Sequence, residues 1–155
     1  MRVHSHTVTL LEKRWSCQPE NVQQAREEVR VFAIRFDSEE SGLIELAIGE
    51  ACANAIEHGS PQGECNAFTL RCLLDTAKCE LIFEVEDEGG RKPLPKLSSV
   101  TTPDLLSEGG RGLFLITQIM DKVAIRRAPR GARLRMTKRL QDKHTAIPPT
   151  WQGAG

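Results

Sequence analysis

Neither sign of charge predominates in this sequence. Lysine plus arginine and aspartate plus glutamate each number 21, so no net field draws the chain to a polyanion, and the basic residues near the C-terminus do not alternate with aromatics. Nucleic acid is therefore not an expected partner. No apolar run comes near the ~20 residues that span a bilayer, and the opening MRVHSHTVTLLEKRW lacks the apolar core of a signal peptide. A cytoplasmic protein without membrane association is expected. Five cysteines, at 17, 52, 65, 72 and 79, include no C-x-x-C pair, and no histidines stand at zinc spacing, which argues against a thiolate metal site and for reduced structural thiols. Cys72 and Cys79 fall in strand-like stretches and are expected to act as small buried apolar groups. No internal repeat is present.

What is there reads as one folded domain. Apolar residues make up 39% and charged residues 27% of the chain, the ordinary balance of a globular protein. A single domain over 1–142 is expected, with 143–155, ending PPTWQGAG and lacking periodicity, as a disordered tail. Residues 6–14 carry partial alternation and read as an edge strand. After Pro19, apolar positions Val22, Ala25, Val29, Phe32, Ala33 and Phe36 recur at helical steps. Ser38 is the expected N-cap of a second helix over 39–58, with Glu39 and Glu40 in its first turn and Gly59 and Pro61 at its end. Strands over 65–74 and 79–87 alternate as a hairpin. Residues 88–110 are rich in Gly, Pro, Ser and Thr and read as irregular. A third helix over 113–120, a strand over 122–127, a turn at 129–131 and a strand over 132–140 complete the order.

Three motifs carry chemistry. In the second helix, E-A-C-A-N-A-I-E-H at 50–58 sets Glu50, Asn54 and His58 in a row beside the apolar stripe Ile44, Ile48, Ala51 and Ala55. Oxygen ligands of this kind suit Mg²⁺, with Asn54 the better direct ligand, and Glu50 suits a general base in phosphoryl transfer. Alone, polar residues one turn apart more often describe a solvated face. In V-E-D-E-G-G at 85–90, Asp87 continues the alternation of Leu81, Phe83 and Val85 and should point inward, where a charge needs a partner. The exocyclic amine of adenine is a suitable donor, and Gly89 would let a base approach the backbone; an aspartate that merely starts a turn is the competing reading. In E-G-G-R-G-L-F-L-I at 108–116, Gly109, Gly110, Arg111 and Gly112 precede an apolar helix. Because Gly costs ~1 kcal/mol relative to Ala inside a helix, these glycines are expected in a loop that offers N–H groups to phosphate. It is neither a dinucleotide fingerprint nor a Walker loop.

Taken in this order, the motifs resemble the GHKL ATPases, and within them the bacterial anti-sigma factor serine/threonine kinases, over roughly residues 8–140. The resemblance implies the Bergerat ATP-binding fold, of α+β class: a two-layer sandwich with helices on one face of a mixed, mainly antiparallel sheet. It implies that Glu50 and Asn54 are the N box, as base and Mg²⁺ ligand, that Asp87 and Gly89 are the adenine-recognising G1 box, and that Gly110 and Gly112 are the G2 box at the phosphates. The 91–110 segment corresponds to the ATP lid, the match itself running over 91–108. In the last hairpin Gly131 is followed by Ala132 where many relatives have Thr, which removes one hydroxyl at the adenine end.

The activity this implies is transfer of the ATP γ-phosphate to a serine or threonine of a small STAS-type anti-sigma factor antagonist. A sigma factor is the implied second partner, the implied oligomer is a homodimer, and Arg26 on the first helix is a candidate contact. The alternative is a nucleotide-dependent switch that sequesters a partner without kinase activity. Glu50 separates the two, since a chain that only binds nucleotide has no need of that carboxylate.

Overall fold

The alternating residues of the central hairpin become one buried face of a sheet. The protein is described by a computed structural model over residues 6–94, 97 and 111–140. In it β2 (Ala67–Asp75) and β3 (Glu80–Glu86) pair antiparallel. Phe68, Leu70, Cys72 and Leu74 on the first strand, and Leu81, Phe83 and Val85 on the second, are each no more than 3% exposed. β1 (Thr7–Ser16) lies beside β2 as the expected edge strand. β5 (Gly131–Arg139) lies beside β3, and β4 (Lys122–Ala128) forms the other edge. The order is β1-β2-β3-β5-β4, and all four of these pairings are antiparallel.

Three helices cover the apolar face, giving the expected two-layer sandwich. α1 (Glu20–Phe36) follows Pro19, whose φ of −54° is already helical, and buries Ala25, Val29, Ala33 and Phe36. α2 (Ser41–His58) buries Ile44, Ile48, Ala51 and Ala55 and ends at Gly59. α3 (Arg111–Ile119) adds Ile116 and Ile119 to the same core. Removing apolar surface of this extent from water, at roughly 25 cal/mol per Å², is what holds the two layers together.

Three local expectations are corrected. α2 starts at Ser41, not at 39, and Ser38 does not cap it. The Asp37 carboxylate takes the Glu40 N–H at 3.3 Å, and the Ser38 carbonyl accepts from the Ser41 hydroxyl at 3.0 Å. These contacts fix 38–40 as a turn and leave Glu39 and Glu40 ahead of the first helical turn. Glu40 pairs instead with Lys138, whose Nζ also donates to the Ile119 carbonyl at 2.9 Å, a cation at the C-terminus of α3. Cys79 is not a buried strand residue: Asp75 Oδ1 gathers the Ala77 and Lys78 N–H groups at 3.1 and 3.0 Å. The turn so formed leaves Cys79 exposed at φ +52°. Cys17, Cys52 and Cys72 are buried, and burial pushes the Cys52 thiol up to about 12 and raises Cys72 as well. Finally, α3 begins two residues before the expected 113 and contains Gly112.

The opposite face of the sheet is closed by ion pairs. Glu86 stands between Arg71 and Arg133 on the neighbouring strands, at 2.5 Å from Arg71 Nη1 and 2.6 Å from Arg133 Nε. Partial burial raises the Glu86 pKa, but hydrogen bonds from the two guanidiniums outweigh it and hold the carboxyl below its usual range. A group with a depressed folded pKa contributes stability above its unfolded pKa, and that contribution is lost as pH falls through the folded value. Thermal melts are therefore expected to show falling stability as pH drops below about 4.3, with a shallower fall in Glu86→Gln. Identical pH dependence in the two proteins would contradict this.

Candidate functional site

Asp87 stands one step beyond β3, and its backbone and one carboxylate oxygen are tied to β5. Its N–H donates to the Ala132 carbonyl at 2.9 Å. Its Oδ1 accepts from the Ala132 N–H at 3.0 Å and from the Gly89 N–H at 2.9 Å. Oδ2 receives no hydrogen bond from the described residues. The side chain is half-buried, so the second oxygen is an acceptor in a walled position without a donor among the described residues.

The wall is made of glycines. A Cβ at Gly131 would lie 2.1 Å from Asp87 Oδ1, and one at Gly59 would lie 2.5 Å from Oδ2. A Cβ at Gly89 would sit 3.0 Å from the Gly59 Cα. Space, not backbone strain, requires glycine at these positions, because none of the three has a left-handed φ. Gly59 reads in the sequence as a helix terminator and Gly131 as a turn residue; their contact with Asp87 appears only when α2, β3 and β5 are brought together. Ala132 supplies through its main chain an anchor for the carboxylate that its lack of a hydroxyl does not disturb.

A second group forms about 8–14 Å back along α2 from Gly59, at 1.5 Å per residue. Glu50 and Asn54 are both half-buried on one side of the helix. A Cβ at Gly112 would fall 2.9 Å from Glu50 Oε2, 3.3 Å from Asn54 Nδ2 and 3.4 Å from Asn54 Oδ1. With no side chain at Gly112, the first turn of α3 comes close to the tips of Glu50 and Asn54. The sequence expectation of a loop at Gly112 is corrected accordingly: residue 112 is helical. The first turn of α3, with N–H groups that lack intrahelical acceptors, thus meets the carboxylate and carboxamide of α2.

The structure therefore brings Glu50, Asn54 and Gly112 together, and Asp87 and Gly89 together, at two points along one helix. Arg111 is the first residue of α3; Gly109 and Gly110, most of 91–110, and the 143–155 tail lie outside the described residues. His58, third in the row with Glu50 and Asn54, is exposed and faces Glu57. Arg26 is engaged inside the fold: its stem fills the space over Gly49, where a Cβ would meet Arg26 Cδ at 3.0 Å. Its Nε lies 3.5 Å from Glu45, a carboxylate that Arg30 also grips at 3.2 and 2.9 Å. Arg30 first, then Arg26, outweighs burial and holds the Glu45 carboxyl below the usual range.

The sequence model of the histidine kinase-like ATPase domain matches residues 16–138 of this chain. The chain belongs to that family. Within these GHKL ATPases it is similar to the serine-protein kinase RsbW of Bacillus pumilus (strain SAFR-032), 33% identical over 145 residues, covering 86% of this chain and 88% of that protein. It is 30% identical over 142 residues to RsbW of Bacillus subtilis (strain 168), covering 86% and 87%. The solved structure of the RsbU and RsbW domains of Rv1364c from Mycobacterium tuberculosis matches with a TM-score of 0.60 at 18% identity. That match covers 84% of this chain and 32% of the other, and is a likeness of fold. Together these place the chain in the RsbW-like, anti-sigma factor kinase branch of the GHKL family, with its Bergerat architecture. Among the described residues no helix is long and apolar enough to cross a membrane.

The glycine wall yields a direct test. Gly131→Ala is expected to displace Asp87 and to destabilise the protein by about 1–3 kcal/mol in urea denaturation. Gly42→Ala, where an added Cβ meets nothing within 4 Å, should be neutral or stabilising by about 0.4–1 kcal/mol. Equal stability of the two variants would contradict the close approach at Asp87.

Proposed function

We propose that this chain is an anti-sigma factor serine/threonine-protein kinase. It binds Mg-ATP, phosphorylates a serine or threonine of a small STAS-type antagonist, sequesters a sigma factor, and works as a cytoplasmic homodimer. The observation that carries the reading is the convergence of Glu50, Asn54 and the first turn of α3 at Gly112, in a chain similar to serine-protein kinases.

The donor set fits the nucleotide. Asp87 Oδ2, an acceptor with no donor among the described residues, suits the amine of an adenine base, and the close approach of Gly59 and Gly131 fixes where that carboxylate stands. Asn54 offers an oxygen to Mg²⁺, which takes few protein ligands and prefers oxygen. Gly109, Gly110, Arg111 and Gly112 lead into the N-terminus of α3, a setting that favours phosphate. The 91–110 segment serves as the ATP lid within a 1–142 domain, with 143–155 as tail. When bound, Mg-ATP supplies the phosphoryl group and the countercharge for its transfer.

Glu50 performs the proton chemistry. Its carboxylate, held one turn from Asn54 and against α3, accepts the proton of the attacking serine or threonine hydroxyl, which raises the nucleophilicity of that oxygen. Asn54 and the α3 N-terminus orient and neutralise, and neither needs to change protonation. Glu50→Gln keeps the size of the side chain and removes the base. Its transfer of label from ATP to the purified antagonist should fall by about 10²–10⁴-fold, while calorimetric affinity for Mg-ADP stays near that of the native protein. Undiminished transfer by Glu50→Gln would remove Glu50 as the base. Absence of transfer by the native protein, with partner binding still nucleotide-dependent, would favour the switch without kinase activity.

A further inference from the structure

Glu88 is the residue between Asp87 and Gly89, and its side chain gathers more of the fold than either neighbour. Oε1 accepts the Ala67 N–H at 2.6 Å, at the start of β2. Oε2 accepts from Arg14 Nη2 on β1 at 3.0 Å and from Arg130 Nη1 in the β4–β5 turn at 3.2 Å. The Glu88 N–H donates to the Gly59 carbonyl at the end of α2, at 3.2 Å. The Arg130 carbonyl in turn accepts the Gly90 N–H at 2.9 Å. One residue thus fastens β1, β2, the C-terminus of α2 and the β4–β5 turn around the Asp87 carboxylate.

We infer that Glu88 is a positioning residue that sets selectivity for an adenine base, acting through Asp87. This rests on the proposed role of Asp87 as the acceptor of the adenine amine. The physical reason lies in the glycine wall. Gly59 and Gly131 approach Asp87 so closely that no side chain fits between, so the place of Asp87 Oδ2 depends on where those two backbones are held. The Glu88 side chain holds the turn before Gly131 through Arg130 and the start of β2 through the Ala67 N–H, while its main-chain N–H, which every substitution keeps, holds the Gly59 carbonyl. The carboxylate is only 14% exposed while Arg14 and Arg130 are 59% and 75% exposed, so the anchor is sheltered and its two cationic arms reach in from solvent. Burial alone would raise the Glu88 pKa; the Ala67 N–H, then Arg14 and Arg130, reverse this and keep it ionised.

The role separates from general stabilisation by what it does to base selectivity. Glu88→Ala removes every side-chain tie. Glu88→Gln retains an acceptor for the Ala67 N–H and turns an amide toward the two arginines. Arg71→Ala is the control, because it breaks the ion pairs to Glu12 and Glu86 on the sheet and leaves Glu88 untouched. In calorimetric titration of the full chain with Mg-ADP and with Mg-GDP, Glu88→Ala is expected to lose about tenfold in Mg-ADP affinity with little change for Mg-GDP. Glu88→Gln should fall between it and the native protein, and Arg71→Ala should keep the native ratio. Turnover at saturating ATP should stay within about threefold, the loss appearing in KM.

Should Glu88→Ala not fold, the Glu88→Gln titration alone decides. A native ADP-to-GDP ratio in the folded Glu88 variants, or a parallel loss of both nucleotides, overturns the positioning role. Asp87→Ala tells the two levels apart. If it abolishes Mg-ADP binding while the Glu88 variants bind normally, the inference about Glu88 fails alone. If Asp87→Ala itself binds Mg-ADP as the native protein does, the adenine reading of Asp87 fails and Glu88 falls with it.

Discussion

A carboxylate oxygen shared between two backbone N–H groups fixes one end of this site. Asp87 Oδ1 takes its hydrogen bonds from Gly89 and Ala132, one on its own loop and one on β5. A charge-assisted bond to a backbone N–H is among the stronger polar contacts a protein makes, and here both partners are main chain. Of substitutions at the partner residues, only proline, which lacks the N–H, removes them directly. The cost is steric: to bring β5 and the end of α2 close enough, Gly131 and Gly59 must present bare backbone. With Oδ1 committed, Oδ2 is the oxygen available to a ligand, and in the proposed complex it meets the base.

The other end of the site uses the same device. Gly112, bare of a side chain, admits the first turn of α3 close to the tips of Glu50 and Asn54. The far end of α3 is secured by Lys138, which donates to the Ile119 carbonyl and pairs with Glu40 ahead of α2. α2 therefore acts as the ruler of the site. Its C-terminus abuts Asp87, its middle turns carry Glu50 and Asn54, and its buried face packs on the sheet through Ile44, Ile48, Ala51 and Ala55.

Much of this was legible in the sequence wherever a period was strong. The alternation of Phe68 to Leu74 and Leu81 to Val85 gave the hairpin and its buried face, and the α1 periodicity gave 20–36. The order of the three motifs pointed to the family that the comparisons then supported. What was not legible depended on contacts distant in sequence. Gly59 and Gly131 look like ordinary chain punctuation until Asp87 is placed between them. Glu88 looks like one more acidic residue in E-D-E until Arg14, Ala67 and Arg130 converge on it. Competition between neighbouring side chains misled the reading of the α2 start, where Asp37 took the contact expected of Ser38, and the Asx turn at Asp75 displaced Cys79 from the strand.

The most direct measurement is a crystal structure of the full chain grown with Mg-ADP. The expected result places the adenine amine within hydrogen-bond distance of Asp87 Oδ2, Mg²⁺ on the Asn54 oxygen and the phosphates at the N-terminus of α3. A base bound away from Asp87, or phosphates remote from Asn54 and Gly112, would contradict the assignment of this surface as the nucleotide site.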